Sequence, residues 1–353
     1  MKLLKTILSY FLVGSSLFMG WGQEYGDMKY HGSIVGHGDF QYKVDLKWSK
    51  ANPKTHPVKN CNEMVQVSDG RLFLLTDHKK NNILIFNTEG ELLDSWTLGI
   101  NAHGLTTHIE KSGKEVLWIT DLRGRVIKTD LEGQVLMELK SPHELKVYSP
   151  HLKYTPTETA IAPDGSIFVA DGYGSQYILK YDKEGTFIKK FGGKSTQPTN
   201  KGKFMQAHGV AIDGRDPENP LVLCSARIRN EFTWFDLDGK YVKSVYLPGA
   251  YISRPVIHGE NIYSGICFGM FENDYRMWQG RGFVTILDKN NKVISNPGGR
   301  APVYKNGQLQ LMLQDLPIIK NAHDVCVDKD GNIYVCQWAS NQAFPYKFVK
   351  ITK

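Results

Sequence analysis

The sequence lacks the marks of several common classes of protein. Beyond an apolar stretch at its start, no segment approaches the roughly 20 apolar residues that a membrane helix needs. It has 5 cysteines and no CxxC spacing, so a thiolate metal site is not expected. Apolar residues with a helical period are essentially absent, which argues against a helical fold. No basic run is interleaved with aromatic residues, so we expect no nucleic-acid partner.

The first residues predict export. Lys2 and Lys5 form a short basic segment, and a mostly apolar stretch then leads to small residues within 20–22. We therefore expect residues 1–22 to be a secretory signal peptide that is cleaved before Gln23, and the protein to be secreted or periplasmic. The formal net charge of +7 is compatible with an anionic substrate and equally with ordinary solubility. We expect a monomer without a membrane span.

The cysteines leave disulfide pairing open. Cys326 and Cys336 flank a predicted hairpin turn and could face each other across it, which is compatible with an exported protein. Cys224 and Cys267 could form a second bridge, and Cys61 would then be left over.

Two kinds of hairpin signal recur along the chain. One is a turn with glycine followed by an alternating apolar strand, as in "SDGRLFLLTD", "PDGSIFVAD" and "KDGNIYVCQ". The other is a turn that recurs roughly every 50 residues, which is a repeat length typical of propeller blades. These turns lie at Gly90, Gly133, Gly185, Gly239 and Asn291.

The repeats predict an all-β fold, a six-bladed β-propeller with four-stranded blades. Five turns of the second kind and a final copy at 321–353 account for the six blades. The last copy ends in its third strand, so we expect residues 38–48, near the mature N-terminus, to supply the missing strand and close the ring. Residues 23–353 would then form a single catalytic propeller domain.

Three histidines stand at the same position of alternate blades. His103, His208 and His323 each begin a first strand in the context "AH", in blades two, four and six. The first strands of a propeller line its axis, so the three imidazoles should converge there. Three neutral imidazoles with an open fourth position describe a catalytic zinc site, and we expect zinc. One such histidine would be a packing residue; the shared register is what indicates a ligand set.

Asp324 directly follows the last of these histidines. A carboxylate in the channel, beside backbone carbonyls, could hold calcium, or it could hydrogen-bond to neighbouring strands. The residues alone leave both interpretations open.

Residues that follow the second strands should surround the histidines, because the first strands begin where the second strands end. These positions include His78, Tyr173, Arg227 and Trp338, and blade five adds an aromatic and charged insertion at 268–282. Arginine, tyrosine and histidine at one mouth predict an anion-binding pocket with a proton carrier.

Four segments resemble the catalytic core of one enzyme family. They are "AHGLTTH", "PTETAIAPDGSIFVADGYGSQYILKYDKEG", "FMQAHGVAID" and "AHDVCVDKDGNIYV". In content and order they are similar to the peptidyl-α-hydroxyglycine α-amidating lyases, six-bladed propeller enzymes of the NHL-repeat type, over most of residues 60–350. The resemblance implies that His103, His208 and His323 bind zinc.

The same resemblance implies further roles. Asp324, with the carbonyls of Leu105 and Met64, would bind a structural calcium. Tyr173 would be the catalytic base, and Arg227 its partner in substrate binding. The chain departs from the family at blade one, where a substrate-binding arginine is replaced by "TDHKK". Metal and base chemistry therefore carry over better than the substrate does.

The function that we expect is metal-assisted elimination. We favour an anionic uronate-containing oligosaccharide as the substrate, with proton abstraction at C5 by Tyr173 or His78 and loss of the C4 substituent. The product of such a lyase or dehydratase is an unsaturated uronate. The alternative is a peptidyl-α-hydroxyglycine α-amidating lyase, which releases glyoxylate. A further alternative is a propeller that binds a ligand without catalysis and in which the histidines are structural.

Overall fold

The computed structural model describes residues 27–197 and 199–352, which fold into six consecutive antiparallel sheets. The predicted signal peptide and its cleavage site lie outside the described residues. The first strands of the six sheets contact one another around a central channel. No helix among the described residues is long and apolar enough to cross a membrane.

Blades one to four each contain four strands in chain order from the channel outwards. Blade one comprises Cys61–Gln66, Leu72–His78, Asn81–Phe86 and Leu92–Trp96. Blade two comprises Ala102–Ile109, Glu115–Asp121, Arg125–Thr129 and Val135–Glu138. Blade three comprises Glu158–Ile161, Ile167–Ala170, Tyr177–Tyr181 and Phe187–Gly192. Blade four comprises Ala207–Asp213, Leu221–Ala226, Glu231–Phe235 and Tyr241–Tyr246.

Blade five departs from this regularity. Its first strand is broken into Tyr251–Ile252 and Val256–His258, on either side of Arg254 and Pro255. Proline has no N–H to donate to a strand ladder, which explains the break. The other strands are Asn261–Phe271, Asp274–Trp278, Phe283–Leu287 and Val293–Ser295, and the first two of these form the hairpin of the predicted insertion. Short elements outside the blades are the hairpin of Tyr304–Lys305 with Gln308–Leu309 and the 3-10 helices Met28–Tyr30 and Arg227–Arg229.

Blade six closes the ring with strands from both ends of the chain. Ala322–Val327, Ile333–Gln337 and Tyr346–Lys350 are followed by Phe40–Asp45, which pairs antiparallel with the last of them. Ile34–His37 adds a fifth, outermost strand. The six-bladed propeller and its closure by an N-terminal strand are therefore confirmed, and the closing strand lies within the expected residues 38–48.

The hydrophobic core is divided among the six interfaces between neighbouring blades. One apolar cluster occupies each interface, from blades one and two round to blades six and one. Inner strands such as Leu72–His78 and Asn81–Phe86 are buried at successive residues, so each sheet has two buried faces and every blade is stabilised by both neighbours. This packing holds the first strands, and the side chains that they point into the channel, in fixed positions.

The cysteines form no disulfide bond. All five lie within the described residues, and all are free and buried. Across the last hairpin, Cys326 pairs with Tyr334 and Cys336 with Asp324, so the two thiols are offset diagonally and not opposite each other. Burial raises the pKa of every one of these thiols, which keeps them protonated and unreactive.

We therefore expect all 5 thiols to be titratable with Ellman's reagent in concentrated guanidinium chloride, and almost none in native buffer. Dithiothreitol should leave the melting temperature unchanged, because there is no bridge to reduce. A denatured titration that finds three thiols or fewer would show that a disulfide forms after all.

Candidate metal centre and active site

Each of the three histidines lies at a β-bulge in the first strand of its blade. Pairing with the second strand passes from Ala102 to Leu105, from Ala207 to Gly209 and from Ala322 to Asp324, so each histidine is left out of the register. A bulge turns the extra residue away from the normal alternation. The equivalent residue of blade one, Asn62, is skipped in the same way.

The bulges bring the three imidazoles together. His103, His208 and His323 are 4%, 1% and 3% exposed. Their ring centroids form a nearly equilateral triangle with sides of 4.9, 4.9 and 5.0 Å. One nitrogen from each lies within 4.8 Å of the others. The structure thus brings the three imidazoles together, as their shared position in the repeats predicted.

The hydrogen bonds of two histidines fix their tautomers. Nδ1 of His103 lies 2.8 Å from the carbonyl oxygen of Thr157, and Nδ1 of His323 lies 2.8 Å from that of Asn62. A carbonyl only accepts, so each Nδ1 carries the proton and each Nε2 offers a lone pair. Second bonds of this kind are usual for metal-binding histidines.

His208 gives the strongest indication of a metal. Both of its ring nitrogens are buried and have no hydrogen-bond partner among the described residues. Leaving a buried polar atom unpaired costs about 1–3 kcal/mol, so such atoms call for a ligand. Three converging imidazole nitrogens, one of them unsatisfied, fit a divalent transition metal with an open coordination position.

The electrostatics of the triad favour neutral imidazoles. Burial is the main cause that lowers the pKa of all three, and the positive charge of Arg227 lowers each further. For His103 the pKa falls to about 4. Neutral imidazole is the form that binds metal, so the triad needs no proton release at neutral pH.

Tyr173 stands over the triad. Its hydroxyl lies 3.2 Å from Nε2 of His103, to which it donates because that nitrogen is unprotonated. Its ring contacts that of His208 with a centroid distance of 5.5 Å. Burial raises the pKa of Tyr173 to about 12, although Arg227 acts in the opposite direction.

The loop that carries Tyr173 is tightly constrained. The buried carboxylate of Asp171 accepts backbone N–H bonds from Thr155 and Ser175 at 2.7 and 2.6 Å. A Cβ at Gly172 would lie 2.3 Å from the carbonyl oxygen of Ala207, so no other residue fits. The motif "DGYG" therefore encodes a rigid turn that places the phenol over the histidines.

Arg227 provides a positive charge beside the phenol. Its Nη1 donates to the Tyr173 hydroxyl at 3.5 Å, and its Nε and Nη2 are held by the Ile252 carbonyl and the Ser253 hydroxyl at 2.9 and 3.1 Å. The guanidinium also lies over the ring of Tyr251, 5.1 Å from its centroid. The guanidinium is thus buried and held in one orientation, as expected of a group that binds an anion.

The residues expected to bind calcium meet in the channel, but the expected ion does not fit there. Asp324 does approach the carbonyl oxygens of Leu105 and Met64. The guanidinium of Arg254 lies among the three and donates hydrogen bonds to all of them. A side chain from the broken strand of blade five therefore occupies the space that the expected calcium would need, so the residues present do not fit that ion.

A pocket of about 400 Å³ opens above the triad. It is lined by His103, His323, Tyr173, Arg227 and Trp338, which were predicted to surround it. Asp77 and Leu122, which also follow second strands, Asn62 at the blade-one register and Phe268 at the start of the insertion line it too. Sequence reasoning missed the other lining residues, which are Asn101, Ala102, Gln206, Tyr251 and Cys267. Tyr251 and Phe268 form a stacked pair 4.8 Å apart, whereas Tyr275 of the insertion is 76% exposed.

His78 does not reach this pocket. Asp77 lines it instead, and His78 points into an adjoining groove, because successive residues of a strand face opposite ways. The groove, of about 740 Å³, shares Asp77 and Asn101 with the pocket.

Two curated proteins are similar to this chain in sequence. A probable peptidyl-α-hydroxyglycine α-amidating lyase of Caenorhabditis elegans is 24% identical over 259 residues, which are 72% of this chain and 67% of that protein. Peptidyl-α-hydroxyglycine α-amidating lyase 1 of Drosophila melanogaster is 27% identical over 199 residues, 52% of this chain and 33% of the fly protein. In sequence the chain is thus similar to the amidating lyases. The family resemblance drawn from its motifs is thereby confirmed, and no protein-family model matches the chain.

Solved structures support the fold alone. Virginiamycin B lyase from Staphylococcus aureus superposes with a TM-score of 0.51 and 13% identity, over 83% of this chain and 96% of that one. A gluconolactonase from Xanthomonas campestris gives a TM-score of 0.54 with 12% identity, over 91% of each chain.

Removing one imidazole tests the metal centre. We expect the purified protein to retain about one divalent metal ion per chain after dialysis, and His208→Ala to lose it, because two nitrogens bind a metal far more weakly than three. Elemental analysis by mass spectrometry measures the content. His108→Ala, in the same strand as His103 but outside the triad, is the control and should keep the metal. Equal metal content in His208→Ala and the unsubstituted protein would rule out this centre.

Proposed function

We propose that the protein is a metal-dependent lyase that acts on an anionic, uronate-containing oligosaccharide. The groove beside the triad pocket is the observation that supports this choice of substrate. Lys59, Lys79, Lys80 and Arg123 line it together with His78 and Asp77. Lys59 pairs with Asp77 at 3.6 Å and Arg123 with Asp121 at 3.2 Å, so the excess of positive charge comes from Lys79 and Lys80. Because the groove joins the pocket, a chain with one carboxylate at the triad could lay its next acidic unit along these cations. The predicted signal peptide supports a substrate found outside the cytoplasm.

Arg227 would hold the carboxylate of the reacting uronate. Its Nη1 already reaches the Tyr173 hydroxyl, so a carboxylate bound there lies next to the phenol. Pairing with a guanidinium neutralises the carboxylate and makes the neighbouring C5 proton more acidic. Tyr251 and Phe268 offer aromatic faces against which a sugar ring can pack.

Tyr173 would take the C5 proton. The C5–H electron pair then forms the C4–C5 double bond, and the C4–O bond breaks with its electrons on the departing oxygen. That oxygen takes the proton now held by the Tyr173 phenol and leaves as water or as a sugar hydroxyl, which restores the phenolate. A divalent metal held by His103, His208 and His323 would supply Lewis-acid polarisation of a substrate oxygen and a charge that favours the phenolate.

The alternative function is that of the amidating lyases themselves. The sequence similarity supports it, as do the triad and the pair of Tyr173 with Arg227. Against it stands blade one, where Asp77 lines the pocket in place of a second arginine. In this alternative the same phenol removes the hydroxyl proton of a peptidyl-α-hydroxyglycine, the C–N bond breaks, and glyoxylate and a peptide amide leave.

One assay separates the two substrates. The metal-loaded protein is incubated with uronate oligosaccharides and, separately, with a peptidyl-α-hydroxyglycine. We expect ultraviolet absorbance of an unsaturated uronate with the first, and loss of that signal in Tyr173→Phe, which keeps the ring but lacks the base. Glyoxylate release from the second substrate alone would establish the alternative. If neither substrate gives a product, the remaining function is that of a propeller that binds a ligand without catalysis.

The groove charges can be tested separately. In Lys79→Ala/Lys80→Ala we expect KM for the oligosaccharide to rise about fivefold with little change in kcat, since two exposed ion pairs contribute about 1 kcal/mol together. The difference should shrink as salt is added. Lys111→Ala/Lys114→Ala, the same charge change at the opposite end of the channel, should leave KM unchanged. Equal KM values for both double variants would contradict a role of the groove.

A further inference from the structure

A second ring of side chains lies directly beneath the histidine layer. It consists of the residues that follow the three histidines and their counterparts in the other blades. In blade order these are Glu63, Gly104, Glu158, Gly209, Arg254 and Asp324. The ring thus contains three acidic residues, two glycines and one arginine, all of them buried at the axis of the propeller.

Arg254 reaches across this ring. Its Nε and Nη2 donate to the two carboxylate oxygens of Asp324 at 3.0 and 2.8 Å, as a two-pronged pair. Its Nη1 donates to the Leu105 carbonyl at 2.8 Å, and Nη2 also donates to the Met64 carbonyl at 3.2 Å. The side chain is 9% exposed. A guanidinium stays protonated in proteins, so this is a permanent positive charge.

The remaining carboxylates surround the same charge. Oε2 of Glu63 lies 3.6 Å and Oε2 of Glu158 lies 3.7 Å from the nearest guanidinium nitrogen. One cation therefore faces three carboxyl groups. Burial raises the pKa of Glu63, while the charge of Arg254 acts against the rise and Glu158 adds to it.

Neighbouring glycines make room for the long side chain. A Cβ at Gly209 would lie 2.6 Å from Cα of Arg254, and one at Gly104 would lie 2.4 Å from the Thr157 carbonyl oxygen. Glycine at these two positions lets the strands approach closely and leaves the channel open for the guanidinium. The broken strand at Pro255 is what frees Arg254 from the ladder and lets it point inwards.

We infer that Arg254 is a built-in cation that takes the place of a structural calcium, so that the protein binds one divalent metal per chain and is independent of calcium. Calcium requires six to eight oxygens at 2.3–2.6 Å. The oxygens that would serve, those of Asp324, Met64 and Leu105, are already bound by guanidinium nitrogens. A covalently attached cation that cannot dissociate therefore stands where the ion would, with one positive charge in place of two.

Arg254 also positions the metal centre. Asp324 follows His323 directly, and Leu105 lies in the strand of His103, so the guanidinium ties together two of the strands that carry ligands. Ser253, the residue before it, receives a hydrogen bond from Arg227. Arg254 is thus a positioning residue, and its role does not depend on which substrate the enzyme uses.

The unsubstituted protein provides the first test. We expect its melting temperature to be the same, within about 1 °C, in calcium-free buffer and in millimolar calcium, and elemental analysis of the purified protein to find no calcium. Isothermal titration with calcium should show no stoichiometric binding. A higher melting temperature in calcium, or one calcium bound per chain, would overturn the inference even if no variant could be prepared.

Removing the charge provides the second test. Arg254→Ala should lower the melting temperature, because three carboxyl groups then share a channel without a cation. Arg254 lines an opening at the far end of the channel, of about 510 Å³, through which small cations can enter. Calcium or methylguanidinium, each at millimolar concentration, should therefore raise the melting temperature of this variant by several degrees. Arg276→Ala, on the exposed insertion hairpin, is the control and should respond to neither.

Two outcomes of the second test would contradict the role of Arg254. An Arg254→Ala protein as stable as the original without added cation would show that no charge is needed there. A destabilised variant that neither cation restores would show that Arg254 acts through its shape alone.

Discussion

The structure depends on one constraint, the convergence of six first strands on a single axis where water is excluded. Every polar group that a strand points inwards must find its partner among the other five. In the upper layer two imidazoles donate hydrogen bonds to carbonyl groups, and a third imidazole has no partner among the described residues. This layer consists of Asn62, His103, Thr157, His208, Ser253 and His323. The layer beneath contains a guanidinium among carboxyl groups. The upper layer is consequently fitted to a metal. In the lower layer the guanidinium binds Asp324, whereas Oε1 of Glu63 and Oε2 of Glu158 have no hydrogen-bond partner among the described residues.

The arrangement relates stability to function. The two layers share their strands, so the ionic contacts of Arg254 fix the same backbone that aims His103 and His323. Above the triad, the rigid turn of Asp171 and Gly172 places the phenol of Tyr173, and the broken strand of blade five supplies the groups that hold Arg227. In the proposed elimination, Tyr173 of blade three would be the base and Arg227 of blade four the anion-binding group, both in fixed relation to the histidines of blades two, four and six.

Much of this could be predicted from the sequence because repeats multiply a weak signal. One histidine at a strand start means little, but three at the same register of alternate blades located the triad, and the closing strand followed from the incomplete last repeat. The insertion reaches the pocket only at its first residue, Phe268, because Tyr275 further along it is exposed, and the contribution of Tyr251 from the broken strand was not foreseen. His78 was misplaced because its neighbour Asp77 takes the inward direction.

The internal cation was missed for a different reason. Blade five lacks the regular hairpin signal, because Pro255 interrupts its first strand, so Arg254 could be placed only approximately and its reach across the channel could not be seen. The similarity to the amidating lyases then favoured calcium. A residue that acts through the tertiary arrangement of four strands leaves no local pattern.

The central claim is that this channel holds one metal ion above one guanidinium. A crystal diffraction experiment on the purified protein, with data collected above and below the absorption edge of the metal found, tests it most directly. The account predicts a single anomalous peak about 2.1 Å from one nitrogen of each of the three histidines, and a guanidinium between Asp324, Met64 and Leu105. A metal ion among those last three residues, with Arg254 turned away, or no metal at the histidines, would contradict it.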